Sequence, residues 1–147
     1  MRSVQRLTLP PGRDAAWVAD EYARWLPTWA PGLPPGRAGL RVTVDAERRC
    51  RFYAPLVKTP LLELTLAPAR SSPDRVLYYV TGGLLARVDS GRGRLEFREA
   101  LGRRAVLAAI HDYEPSLPWP IYRSTQALVH LAVMRAFGRH LRRMARA

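Results

Sequence analysis

Residues 121–147 read IYRSTQALVHLAVMRAFGRHLRRMARA, and this stretch decides the fold. Its large apolar side chains recur every three or four residues, at Leu128, Leu131, Met134, Phe137, Leu141 and Met144. Arginines recur on the opposite side, at Arg135, Arg139, Arg142 and Arg146. This spacing predicts one long amphipathic helix whose apolar side must be covered by another element.

The sequence before this helix predicts an antiparallel sheet. Apolar and polar residues alternate in short segments that are separated by Pro, Gly and Asp turns. The predicted strands are 3–9, 40–45, 50–54, 62–66, 76–81, 94–98 and 104–113. The pair Gly82-Gly83 predicts a bulge or bend. The last strand is apolar on both faces, which predicts a central position or the wall of a cavity.

A shorter helix is predicted between the first two strands. Asp14 can cap its start, and Pro27 is expected to end or bend it. The rings of Trp17, Tyr22, Trp25 and Trp29 give this region a high aromatic content, most simply explained by core packing.

Length and composition predict one domain, 1–147, that folds by itself, because 48% of its 147 residues are hydrophobic and 24% are charged. The net charge of +12 is compatible with nucleic acid, a ribosome or an anionic membrane as partner. However, Lys58 is the single lysine and the arginines are scattered, as a GC-rich genome would produce for any function. A polyanionic partner is therefore the less favoured class.

Cys50 is the single cysteine, so the chain cannot form an internal disulfide framework. The first residues lack the apolar core of a secretory signal, and no apolar run is long enough to span a bilayer. These features predict a cytoplasmic protein.

The order of elements, together with YVTGGLLAR, GRLEFR, HDYEPSLPWPIY and AVMRAFGRHL between Tyr79 and Leu141, resembles the START-like superfamily. This superfamily, also called SRPBCC, has the helix-grip fold and includes polyketide cyclases and lipid-transfer domains. The resemblance implies an α+β domain in which a curved antiparallel sheet of about seven strands surrounds the C-terminal helix. It also implies an apolar cavity between sheet and helix, but it supplies no catalytic residue.

Ten residues are candidates for contact with a ligand in that cavity, as aromatic or apolar wall residues, hydroxyl groups or polar groups near its mouth. They are Tyr53, Tyr78, Tyr79, Phe97, Leu107, Ala109, His111, Trp119, Tyr122 and Gln126.

A catalytic alternative centres on the polar cluster at the end of the last strand. Alternation places His111 and Tyr113 on the same face, with Leu107 and Ala109. If that face is internal, His111 could transfer a proton, with Tyr113 or Tyr122 as second donor. In the simpler alternative, His111 lies at a strand end without a chemical role.

No metal site, cofactor or covalent nucleophile is predicted. His130 and His140 are ten residues apart, which we expect to place them on nearly opposite faces of the helix. Cys50 has no neighbouring His in sequence to lower its pKa, and no phosphate-binding loop is present.

Three functions remain open at this point. The favoured one is binding or transport of a small hydrophobic or amphipathic molecule, such as a lipid, quinone or polyketide. The second is a cyclase- or hydratase-like enzyme that uses His111 and tyrosines. The third is a basic interaction protein that docks on a ribosome or an anionic membrane through the arginines of the long helix.

Overall fold

The computed structural model describes residues 3–29, 41–54, 57–87, 91, 93–116, 118, 120 and 126–146, with side chains of the last range from Val129 onward. Within these ranges the chain forms nine strands, two α-helices and a short 3-10 helix at Pro68–Arg70. The helices are α1 (Ala15–Trp29) and α2 (Gln126–Arg146). The strands are β1 (Ser3–Thr8), β2 (Arg41–Val44), β3 (Arg49–Tyr53), β4 (Leu62–Leu66), β5 (Arg75–Gly82), β6 (Ala86–Arg87), β7 (Arg94–Ala100), β8 (Ala105–His111) and β9 (Glu114–Pro115).

Seven strands form one curled antiparallel sheet in the order β1-β8-β7-β5-β4-β3-β2. Strands β2, β3, β4 and β5 pair as a local meander, whereas β1 pairs with the distant β8. The predicted α+β architecture, with about seven strands and a long C-terminal helix, is confirmed. The additional two-stranded sheet β6–β9 was not predicted.

The predicted irregularity at Gly82-Gly83 is present. The register of β4 against β5 shifts between Glu63 and Leu64, opposite these glycines. Gly83 has a φ of 111°, and a side chain at this position would overlap the backbone of Leu61 and Leu62. Only glycine fits this close approach, and the bulge contributes to the curl of the sheet.

Helix α1 begins as expected and continues past Pro27. The backbone N–H of Trp17 donates to Asp14 Oδ1 at 2.8 Å, which is an N-terminal cap. Pro27 lies inside the helix and does not end it, because the chain stays helical to Trp29. The Thr28 hydroxyl donates to the Trp25 carbonyl oxygen at 2.7 Å in this last turn.

Helix α2 has the predicted apolar and basic sides. Among its described side chains, the buried ones are Val133, Met134, Ala136, Phe137 and Leu141. The arginines at 135, 139, 142 and 146 are exposed on the other side. Residues 121–125 of the predicted helix lie outside the described ranges.

Both helices cover the same face of the sheet and build one core with it. Helix α1 approaches β2, β5 and β7, and α2 approaches the edge strand β1. The core cluster contains residues from both helices and from all seven strands of the large sheet. No helix within the described ranges combines the length and hydropathy needed to cross a membrane.

Candidate ligand-binding interior

The sheet has an inner face, which packs against the two helices, and an outer face. Strand alternation and the observed register assign each side chain to one of them. The buried apolar residues of the inner face are Leu7, Val42, Cys50, Leu64, Val76, Tyr78, Val80, Leu95, Phe97, Val106 and Ala108. Any site between sheet and helices must be built from this face.

Aromatic rings fill the interior between the middle of the sheet and both helices. The ring centroid of Tyr22 lies 5.4 Å from that of Phe97 and 5.2 Å from that of Phe137. Trp25 lies 5.2 Å from Phe137. We call Tyr22, Trp25, Phe97 and Phe137 the aromatic cluster. Because Phe97 and Phe137 are both fully buried, this part of the interior is closed.

Burial decreases toward both ends of the inner face: Val44 and Leu66 are partly exposed at one end, and Phe52, Leu62 and Ile110 at the other. The last three residues are partly exposed although they face inward. Their inner-face neighbours, two residues away on the same strand and nearer its middle, are buried. The exposed fractions are 1% for Cys50, 5% for Leu64 and 2% for Ala108. We call the end of the interior with Phe52, Leu62 and Ile110 the open end.

His130 adds an uncharged polar group to the inward side of α2. It precedes the buried Met134 by one turn and Phe137 by two turns, so the three side chains lie on one side of the helix. Burial lowers the pKa of His130 to about 4, and the ring is therefore neutral at pH 7. The described residues provide no hydrogen bond to it.

His130 and His140 are both partly buried, so the expectation of nearly opposite faces was wrong. Ten residues at about 100° per residue leave about 80° between them. The His140 ring stacks on Trp25 at 5.9 Å between centroids, and its Nε2 lies 2.9 Å from Glu21 Oε1. Among the described residues, no group of three or more His, Cys, Asp or Glu side chains could hold a metal ion.

Buried polar groups of the inner face are held in structural contacts. The Arg48 guanidinium donates to the Tyr78 hydroxyl at 2.9 Å and lies 2.7 Å from Asp20 Oδ1. Burial raises the pKa of Tyr78 to about 12 and that of Cys50 to about 11. The thiol of Cys50 therefore stays protonated at pH 7, which makes it a poor nucleophile.

Of the ten candidate ligand contacts, Tyr78 and Phe97 lie on the inner face, and five lie on the outer face. The five are Tyr53, Tyr79, Leu107, Ala109 and His111. The Arg41 guanidinium lies 4.5 Å from the Tyr53 ring centroid, and Arg70 donates to the Tyr79 hydroxyl at 3.2 Å. Contrary to the expectation for ligand contacts, these five side chains therefore do not line the interior. The period of two was right, but β8 is apolar on both faces, so the pattern did not show which face is internal.

The other candidates cannot be compared with the geometry. Trp119 and Tyr122 lie outside the described residues, as does the side chain of Gln126.

The proposed catalytic pair of His111 and Tyr113 is separated by the backbone. Asp112 has a φ of 50°, in the left-handed region, and this interrupts the alternation at the end of β8. His111 therefore stays on the outer face, whereas Tyr113 turns into the core with an exposed fraction of 5%. The described geometry does not bring the two side chains together in one interior site.

The Tyr113 hydroxyl has a structural contact, because it donates to the Leu85 carbonyl oxygen at 2.8 Å. We expect Tyr113→Phe to lower the free energy of unfolding by about 1 kcal/mol, the net value of a typical hydrogen bond. Urea unfolding measures this loss. Tyr53→Phe on the outer face, as the control, should change stability by less than half as much. Equal losses would contradict the structural role of this hydroxyl.

Comparisons with known proteins support the architecture. No family model matches the chain. It is 24% identical over 139 residues to the auxiliary protein GraX of Staphylococcus aureus (strain NCTC 8325 / PS 47). This alignment covers 93% of the chain but 42% of GraX, so the chain spans less than half the length of that relative.

Two solved structures match the chain over most of its length. A START superfamily protein from Mycobacterium smegmatis superimposes with a TM-score of 0.51 at 12% identity, covering 96% of this chain and 97% of that one. A protein from Deinococcus radiodurans is 21% identical over 94% of this chain and 92% of its own, but its TM-score of 0.41 is too low to show a shared fold. Together with the strand order and the C-terminal helix, the first likeness shows that this chain has a START-like, helix-grip α+β fold.

Proposed function

We propose that the protein binds a small hydrophobic or amphipathic molecule at the open end of the interior, between the sheet and α2. The observation that supports this most directly is the partial exposure of Phe52, Leu62 and Ile110 at one end of a face whose centre is buried. Inward apolar side chains that keep water contact can gain free energy when an apolar ligand covers them.

His130 is a further candidate contact for the ligand, because it lies on the inward side of α2 with Met134 and Phe137. A neutral imidazole offers one donor and one acceptor, which suits a hydroxyl or carbonyl on an otherwise apolar ligand. This combination favours an amphipathic ligand over a pure hydrocarbon.

The closed aromatic cluster limits the size of the ligand. Because Phe97 and Phe137 are fully buried, a ligand at the open end cannot extend past them without displacing the rings. We therefore propose a small ligand and transport or sequestration as its use. A cyclase- or hydratase-like reaction receives no support from the separated positions of His111 and Tyr113.

A pair of substitutions on β8 tests this site. Ile110→Trp should fill the open end and weaken saturable binding of a hydrophobic fluorescent dye at least tenfold. Leu107→Trp adds the same ring to the outer face of the same strand and should leave dye affinity within twofold of wild type. Fluorescence titration measures both affinities, and displacement by fatty acids, quinones and aromatic polyketides identifies the preferred class.

Two results would overturn the proposal. One is the absence of saturable dye binding and of any ligand that co-purifies with the wild-type protein in native mass spectrometry. The other is an equal loss of affinity in the two tryptophan variants, which would show that the dye does not distinguish the inner face.

A further inference from the structure

Strand β1 and helix α2 enclose a second site, an open groove of about 300 Å³ at the edge of the sheet. We call it the arginine groove. Its lining residues are Gln5, Arg6, Leu7, Met134, Arg135, Gly138, Arg139 and Arg142. Leu7 and Met134 are buried and form its apolar floor, whereas the four arginines are exposed around it.

The charge of the groove is not neutralised by neighbouring side chains. Some arginines elsewhere on the protein are paired with carboxylates, as in Arg51 with Glu63 at 2.7 Å and Arg75 with Glu96 at 2.9 Å. Within the described ranges, no carboxylate lies at ion-pair distance from any of the four groove arginines. Four guanidinium groups around one small groove, with no acidic residue in its lining, favour an anionic ligand.

Gly138 forms part of the groove wall. A Cβ atom at this position would lie at ordinary van der Waals distance from its neighbours, 3.4 Å from Leu7 Cδ2 and 3.7 Å from Arg142 Nη1. The Arg142 guanidinium therefore lies close to the backbone of α2 at Gly138, on the side that faces Leu7. A larger side chain at this position would occupy part of the groove without changing its charge.

We propose that the arginine groove binds a phosphate monoester carried on a short apolar group. Guanidinium groups bind phosphate through paired N–H donors, and several of them can share its oxygens. Leu7 and Met134 provide apolar contact for the attached carbon chain. The volume is at the lower limit for small-molecule sites. The described lining residues include no aromatic ring on which nucleobases could stack, so single-stranded nucleic acid fits less well.

Isothermal titration calorimetry with hexyl phosphate tests the site. The Arg139→Gln, Arg142→Gln double variant should bind at least tenfold more weakly than wild type, because it removes two phosphate contacts. Gly138→Leu, which keeps all four arginines and has a side chain compatible with a helix, should also lose at least tenfold. The matched control is Arg143→Gln, an exposed arginine of α2 outside the groove, which should stay within twofold of wild type. Hexanol and inorganic phosphate should each bind at least tenfold more weakly than hexyl phosphate.

Wild-type affinity in Gly138→Leu would overturn the proposal, because it would place the ligand outside the groove. An equal loss in Arg143→Gln and in the double variant would also overturn it, since that result indicates diffuse charge attraction. Circular dichroism spectra confirm that each variant is folded.

The phosphate monoester could belong to a soluble molecule or to a lipid head group, and vesicles containing phosphatidic acid distinguish the two. Co-sedimentation that Gly138→Leu abolishes assigns the groove to a lipid. Hexyl phosphate binding without co-sedimentation assigns it to a soluble ester. Binding of neither hexyl phosphate nor vesicles would overturn the proposal.

Discussion

Replacing Phe137 by alanine is expected to lower the free energy of unfolding by about 3 to 5 kcal/mol, the range found for large aromatic deletions in closed cores. Phe137 is fully buried, and its ring contacts Tyr22 and Trp25 of α1 at 5.2 Å between centroids. Loss of the ring would leave a cavity at the point where α1 and α2 meet. Urea unfolding followed by circular dichroism measures the effect.

The matched control for this variant is Phe52→Ala, which makes the same change at the open end. Phe52 is already partly exposed, so its removal deletes less buried surface and leaves no sealed cavity. We expect less than half the loss seen for Phe137→Ala. Equal losses would contradict the distinction between a closed and an open part of the interior.

Acidification is expected to destabilise the protein through His130. Its pKa is about 4 in the folded protein, below the ordinary value of 6.5 that applies to the unfolded chain. The unfolded state therefore binds the proton first as the pH falls. The destabilisation by His130 is absent above about pH 7 and grows as the pH falls from about 6.5 toward 4. At pH 4.5 we expect His130 to lower the free energy of unfolding by about 2 kcal/mol.

Comparison of variants isolates this contribution from that of the carboxylates, which also titrate in this range. Urea unfolding at pH 7 and pH 4.5 should show a smaller loss of stability for His130→Gln than for wild type, by about 2 kcal/mol. The control variant His111→Gln, on the outer face, should show the same loss of stability between pH 7 and pH 4.5 as wild type. The same loss in His130→Gln and wild type would contradict the placement of a neutral imidazole on the inward side of α2.

The sequence predicted the sheet and α2 well because both depend on simple periods. The three- and four-residue spacing from Leu131 to Met144 correctly separated the buried side of α2 from its arginines. Alternation located the strands, and Asp14 correctly marked the start of α1. Of the two outcomes expected at Pro27, an end or a bend, the end is excluded because the helix continues to Trp29.

The site was predicted less well because a period of two assigns residues to two faces without saying which face is inside. In β8 both faces are apolar, so Leu107 and Ala109 could not be distinguished from Val106 and Ala108 by pattern. The positive φ of Asp112 then reversed the expected position of Tyr113 relative to His111. His130 could have been found from the sequence, because it precedes Phe137 by seven residues and therefore lies on the same side of the helix.

The pairing of β1 with β8 has a consequence for how the chain acquires its structure. Leu7 and its register partner Val106 are separated by about a hundred residues, whereas β2, β3, β4 and β5 follow one another with connections of eight residues or fewer. During synthesis the meander can assemble early, but β1 has no neighbour until β8 leaves the ribosome. We therefore expect the closure of this edge to be a late and slow step in folding, during which the exposed backbone of β1 and β8 is most vulnerable to aggregation.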